Sequence, residues 1–277
     1  MNYPKFRFND LENKTLLITG TTRGIGKALL PGLLEQGLKL LLLNRNHEAM
    51  QEICHELGAD ESRIKLYKCD LADAAHVREV AEEIAQSDIT LDAILHNAAI
   101  DPRHHFENGD EALWQQVFQT NLFSAVTLTR HLLPKLQSSG NGRIIFTGSV
   151  MYEMGGSFLT AYNATKGALQ GLTYSLAHEL KHTDITVNCL VPGAILVEKE
   201  TATPESNARL TNWQSVGRRI IPDDMLGPLC LFLSEAGGGI SGQTLTIDGG
   251  LIHPLADPDG QRRRLAKDTE TGKNQRQ

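Results

Sequence analysis

The sequence predicts an α/β fold: a doubly wound, seven-stranded parallel sheet with helices on both faces. Three observations carry this. Short Leu-rich or β-branched runs have the character of strands covered on both sides. Longer segments of helical period separate them. A glycine-rich turn, Gly20-Thr21-Thr22-Arg23-Gly24-Ile25-Gly26, joins the first run to the first helical segment.

In chain order, the runs Leu16-Leu17-Ile18, Leu40-Leu41-Leu42-Leu43 and Ile64 to Lys68 predict strands over 14–19, 39–43 and 64–68. Ala93-Ile94-Leu95 and Ile144-Ile145-Phe146 predict 93–96 and 143–147, and two further runs predict 186–191 and 244–247. Helices are expected over 26–36, 48–57, 74–86, 111–136, 157–181 and 223–234. The stretch 193–221 has no clear period, and its length marks it as a substrate loop, a lid over a site.

The chain has 277 residues, 40% hydrophobic and 22% charged, which is ordinary for one globular domain, placed here over 1–256. Residues 257–277, with Arg262-Arg263-Arg264 among polar neighbours, are too poor in apolar groups to order themselves and form a flexible tail. The formal net charge of -6 leaves no footprint for nucleic acid. No apolar run approaches a membrane span, and the N-terminus lacks a signal segment, so a cytoplasmic location without membrane contact is expected. Cys54, Cys69, Cys189 and Cys230 show neither metal-ligand nor redox spacing and read as free thiols. His104-His105 lacks a third ligand at metal spacing, so no metal is expected.

Tyr162 and Lys166 carry the chemistry. At positions i and i+4 of a helix the phenol and the ammonium share one face, and a fixed cation there is expected to pull the phenol pKa down toward working pH. Ser149 stands thirteen residues earlier, at a strand's carboxyl end where α/β ligands bind.

With the glycine-rich turn, His96-Asn97-Ala98-Ala99, Ser149 and the Tyr162/Lys166 pair in this order, residues 10–251 resemble the short-chain dehydrogenase/reductase family in its single Rossmann-domain form. The resemblance implies hydride transfer between a nicotinamide and a carbonyl or secondary alcohol carbon. Ser149 would polarise the substrate oxygen, Tyr162 exchange its proton, Lys166 hold the ribose and tune the tyrosine, and Asn121 keep a relay water. Gly20, Thr22, Arg23, Gly24, Ile25 and Gly26 would cradle the pyrophosphate. Asp70 and Leu71 would meet the adenine, Asn97, Ala98 and Ala99 would flank the cofactor, and Pro192, Gly193 and Ile195 would orient the carboxamide. The position after the second strand holds Asn44 and Arg45 where an acid would bind the NAD ribose. With Arg23, Arg45 offers guanidinium donors to a 2′-phosphate, so NADP(H) is preferred and NAD(H) possible.

Two departures from the family pattern stand out. Ala99 replaces a glycine, and Val197 replaces a threonine that would contact the cofactor. The substrate pocket is expected from Arg103, His104, His105, Met151, Glu153, Phe158 and the 194–221 loop, which tilts the reading toward a small polar or polyhydroxylated ketone or alcohol. A 3-oxoacyl-thioester reductase, an NAD-dependent alcohol or sugar dehydrogenase, and a catalytically silent dinucleotide-binding protein are the alternatives. The resemblance also implies a homodimer or homotetramer through the helices at 111–136 and 157–181.

Overall fold

The computed structural model describes residues 6–58, 60–197 and 203–252; the expected tail at 257–277 lies outside them. Its strands are β1 (Thr15–Thr19), β2 (Lys39–Asn44), β3 (Ile64–Lys68), β4 (Ala93–His96), β5 (Arg143–Thr147), β6 (Thr186–Pro192) and β7 (Gln243–Ile247). All pair in parallel in one sheet, ordered β3-β2-β1-β4-β5-β6-β7, and each lies within one residue of its expected bounds. The helices are α1 (Gly24–Glu35), α2 (His47–Glu56), α3 (Ala74–Gln86), α4 (Glu111–Phe118), α5 (Ser124–Ser138), α6 (Met151–Met154), α7 (Thr160–Glu179), α8 (Pro204–Trp213) and α9 (Asp223–Leu233).

The period of two along each strand builds two cores from one sheet. Leu17, Leu41 and Leu43 face the core shared with α3, α5 and α7, where Val80, Leu128, Leu132 and Leu169 are buried. Leu16, Ile18, Leu40 and Leu42 face the other core, shared with α1, α2 and α9 through Leu29, Leu33, Ile53, Leu226 and Leu229. A strand covered on both sides has no polar face to alternate with, which is why these strands read as continuous apolar runs. Side-chain caps start several helices: Asn46 accepts from the Ala49 N–H, Asp73 from Ala75 and His76, and Asp110 from Leu113.

Three expectations are corrected. The single helix expected over 111–136 is α4 and α5 joined by a π-helical turn, Gln119–Phe123. The chain stays helical through the turn, so its apolar period barely registers the extra residue. The helix expected from 157 starts at Thr160, because Phe158 takes a left-handed backbone conformation (φ 68°) that cannot continue into a helix. The stretch 193–221 is not irregular throughout: it contains α8, and its base is closed by pairing of Ile195 with Ile220 and by the Leu196 N–H to the Ile220 carbonyl at 2.8 Å. Residues 198–202 of that stretch lie outside the described residues.

The strand order turns at β1 and β4. Connections from β1 lead outward to β2 and β3, and those from β4 lead the other way, so the carboxyl ends of β1 and β4 flank a crevice.

Candidate active site

An open cleft of about 890 Å³ occupies that crevice. Of the site residues expected from the sequence, Gly20, Thr22, Arg23, Gly24, Ile25, Asn44, Arg45, Asp70, Leu71, Asn97, Ala98, Ala99, Ser149, Tyr162, Lys166, Pro192, Gly193 and Ile195 line it. Gly26 and Asn121 do not line it; they brace its walls.

The glycine-rich turn is held by close approaches that side chains would block. Gly20 has φ 73°, and a Cβ there would lie 2.7 Å from the Ala98 Cα. A Cβ on Gly26 would lie 2.2 Å from the Gly20 carbonyl oxygen. Asn97 ties the turn to β4: its Nδ2 donates to the Thr19 carbonyl at 3.0 Å and the Gly20 carbonyl at 2.9 Å. The Thr19 hydroxyl accepts from the main-chain N–H groups of Asn97 and Ala98 at 3.1 and 3.0 Å, a brace the sequence reading missed. Asn44 borders the cleft, yet both ends of its amide are engaged with Thr21, whose N–H donates to it and whose hydroxyl accepts from it. Arg23 and Arg45 are exposed at the same end, and neither guanidinium has a hydrogen-bond or ion-pair partner among the described residues. One Asp70 oxygen accepts from the Ala72 N–H at 3.0 Å, which orients the carboxylate at the end of β3.

At the other end, under β5 and β6, the reacting groups converge. Lys166 is 2% exposed and donates to the Thr147 carbonyl at 2.6 Å. Its Nζ lies 5.5 Å from the centre of the Tyr162 ring. Burial lowers the lysine to about 8, with Cys189 and Asp101 acting in the opposite sense. Ser149 lies beside Tyr162 and acts to lower it, and its hydroxyl accepts from the Met151 N–H at 3.2 Å. The expectation of a tyrosine lowered by the lysine is corrected: burial is the largest influence and raises it, Ser149 opposes this, and Asp101 raises it further. Spacing on a helix places the two groups together but carries no information on how deeply the fold buries them.

Asn121, 3% exposed, sits in the π-helical turn. Its side chain accepts from the Ile100 N–H at 2.8 Å and donates to the Ile100 carbonyl at 2.9 Å and the Thr165 hydroxyl at 3.2 Å. Thr165 in turn donates to the Tyr162 carbonyl at 2.7 Å, so one chain of bonds links the loop after β4 to the tyrosine's helix.

The expected substrate-side groups fare differently. Ala194, Ile195 and Val197 line the cleft, whereas Arg103, His104, His105, Met151, Glu153 and Phe158 do not. The His104 N–H donates to the Phe158 carbonyl and the His105 ring packs edge-on against Phe158, so these residues fasten two loops together outside the cleft. Asp101, Gln116 and Thr120 line it instead. His96 is also outside: stacked on Phe146 and bonded to the Thr129 hydroxyl at 2.8 Å, it is pushed down to about 3 by burial and stays neutral. The Asp248-Gly249-Gly250 corner is structural. Asp248 accepts from the Gly250 and Ile252 N–H groups, and Cβ atoms on the two glycines would strike Val216 and Ser215.

No group of three or more His, Cys, Asp or Glu side chains among the described residues is placed to hold a metal ion, and the four cysteines are unpaired. No helix among them is long and apolar enough to cross a membrane.

The chain is similar to several proteins named as dehydrogenases. The Rhizobium meliloti protein named "Probable galactose dehydrogenase" is 30% identical over 257 residues, covering 91% of this chain and 100% of the relative. L-rhamnose 1-dehydrogenase (NADP(+)) of Thermoplasma acidophilum is 30% identical over 251 residues, covering 88% and 98%. Among solved structures, a gluconate 5-dehydrogenase from Burkholderia cenocepacia in complex with NADP and tartrate is 28% identical with a TM-score of 0.79, covering 90% of this chain and 98% of that one. A family model described as short chain dehydrogenase matches residues 14–208, and the chain belongs to the short-chain dehydrogenase family.

Proposed function

We propose that this chain is an NADP(H)-dependent dehydrogenase that interconverts a secondary or lactol hydroxyl of a sugar or polyol with the corresponding carbonyl. The observation that carries the reading is one cleft with Ser149, Tyr162 and Lys166 together at one end and two unpartnered arginines at the other. The relatives named for galactose, rhamnose and gluconate support the substrate class, and the NADP named for the rhamnose and gluconate enzymes supports the cofactor.

The residues fit that cofactor. The glycine-rich turn leaves room for a pyrophosphate at the start of α1, and Arg23 and Arg45 offer charge-assisted donors to a 2′-phosphate. Asp70 would accept from the adenine amino group, and Pro192, Gly193 and Ile195, which line the cleft at the end of β6, would flank the carboxamide. Bound NADP would supply the hydride-accepting chemistry. In the oxidative direction Ser149 would hold the substrate hydroxyl, the Tyr162 oxygen would take its proton, and Lys166 beside the ring would hold the ribose. Lys166 is oriented by Thr147, and Asn121 keeps the relay-water path open by fixing Ile100 and Thr165.

We further propose a homo-oligomer in the cytoplasm. Phe123 and Val126 on the α4–α5 segment and Tyr174 on α7 are 49%, 36% and 49% exposed, apolar side chains on the two helices that symmetric pairing would cover. The function is tested by following nicotinamide absorbance with NADP⁺ or NAD⁺ against a panel of aldoses, polyols and sugar acids, with a 3-hydroxyacyl thioester as the contrasting substrate. Turnover of the thioester alone would overturn the sugar reading, and no turnover of any substrate would favour a silent binding protein.

A further inference from the structure

We propose that Asp101 is the substrate-hydroxyl acceptor of this site and makes it selective for a neutral polyhydroxylated substrate over a sugar acid. The inference rests on the sugar or polyol reading above and narrows it.

Four observations support the assignment. Asp101 lines the cleft, and its charge is felt by both Tyr162 and Lys166, which places the carboxylate at the reacting end. The main chain just before it is held, because Ile100 is gripped by Asn121 through both its N–H and its carbonyl, and the Asp101 side chain itself is exposed. Asp101 has no hydrogen-bond or ion-pair partner among the described residues, so its oxygens are available to a ligand. Finally, on the β4–β7 side of the cleft the charged side chains lining it are Asp101 and Lys166 among the described residues, and the lysine is engaged with Thr147 and the Tyr162 ring. Arg103, two residues on, does not line the cleft.

A substrate carboxylate entering that end would meet a like charge and, among the described residues, no cation other than the engaged Lys166. A neutral sugar would instead present hydroxyl donors, two of which a carboxylate can accept at once. The same negative charge resists loss of the Tyr162 proton, so the acid also influences the pH at which oxidation proceeds.

The test compares wild type, Asp101→Asn and Asp101→Ala by steady-state oxidation of D-galactose and D-glucose and of D-galactonate and D-gluconate with NADP⁺, with NADP⁺ affinity measured separately. Wild type is expected to favour the neutral sugars. Asp101→Asn should raise KM for them about 10- to 100-fold, the range of a charge-assisted hydrogen bond, with a smaller change in kcat. It should also narrow the sugar-to-acid ratio by about tenfold or more, and shift the rising limb of the oxidation pH profile to lower pH, leaving NADP⁺ affinity unchanged. A merely structural role would lower activity on both classes in step. An unchanged sugar-to-acid ratio in Asp101→Asn, or a wild type that prefers the acids, overturns the assignment while leaving the dehydrogenase reading intact. If wild type oxidises none of the four, the substrate class fails and the assignment with it.

Discussion

Thr21 and Asn44 hold each other reciprocally: the Thr21 N–H donates to Asn44 Oδ1 at 2.7 Å, and Asn44 Nδ2 donates to Thr21 Oγ1 at 2.8 Å. Both residues are buried, so the end of β2 grips the glycine-rich turn where water cannot replace a lost partner. Asn44→Ala should therefore cost about 1–3 kcal/mol of stability, the penalty of a buried donor left unmet. Denaturant unfolding would show this as a lower midpoint at constant slope, and NADP binding should weaken as the turn loosens. An unaltered midpoint would mean that the clamp contributes nothing.

Arg45→Asp should collapse or reverse the preference for NADP(H), since it trades a phosphate donor for a repelling charge and supplies an acceptor for an unphosphorylated ribose. The measurement is kcat/KM with each cofactor. Arg23→Ala should move the ratio the same way by a smaller amount, and an unchanged ratio in both variants would refute NADP selection by this end of the cleft.

Tyr162→Phe removes the transferable proton and little else. Its kcat should fall about 10²- to 10⁴-fold with cofactor affinity nearly intact. Because burial raises the tyrosine, wild-type oxidation should accelerate as pH climbs from neutral into the alkaline range, where more of the phenol is ionised. Retention of more than about a tenth of wild-type kcat in Tyr162→Phe would end its assignment as the proton carrier.

Lys166 makes the cofactor-free protein less stable at neutral pH. Its folded value of about 8 lies below the ordinary 10.5, so keeping the buried ammonium costs free energy in full below about pH 8. As pH rises from there toward 10.5 the folded lysine gives up its proton before the unfolded one does, and the cost fades. Lys166→Met should thus be more stable than wild type at pH 7 by about 1–3 kcal/mol, with the gap shrinking by pH 10, while activity is lost. Thermal unfolding across that range checks both the sign and the window.

Light scattering at working concentration should give a dimer or tetramer mass. Charged substitutions at Phe123 and Val126, such as Phe123→Glu, should shift it toward monomer if that surface forms the contact. A monomeric wild type would rule the assembly out.

The strands were legible because double-sided burial leaves Leu40 to Leu43 or Ile144 to Phe146 no polar alternation to blur them. The cleft residues were legible because glycine approach and strand-end position constrain residue type, as at Gly20 and Ser149. Other features leave weaker marks. The π-helical turn around Asn121 hides within an unbroken helical period, and α8 is short and largely polar. Phe158 gives no cue to its left-handed conformation, since a bulky residue is the last expected there. The tyrosine's shift was misjudged because pair spacing is local, whereas burial depends on β5, β6 and the loop after β4 closing around it. Asp101 was passed over in favour of its neighbours at 103–105, since which residues of an irregular loop turn inward is decided by anchors such as Asn121, distant in sequence.

Because the strand order reverses between β1 and β4, the cleft residues proposed to select the cofactor phosphate and those proposed to select the substrate fall on successive, non-overlapping stretches of chain, residues 20–71 and 97–197. Arg23 and Arg45 share no bonding partner with Asp101, Ser149 or Tyr162 among the described residues. Changes at the two ends should therefore combine additively in free energy. Such a layout is modular: one half can be retuned for the available redox carrier while the other keeps its sugar, and a homologous exchange at the boundary between β3 and β4 would recombine the two specificities without rebuilding either.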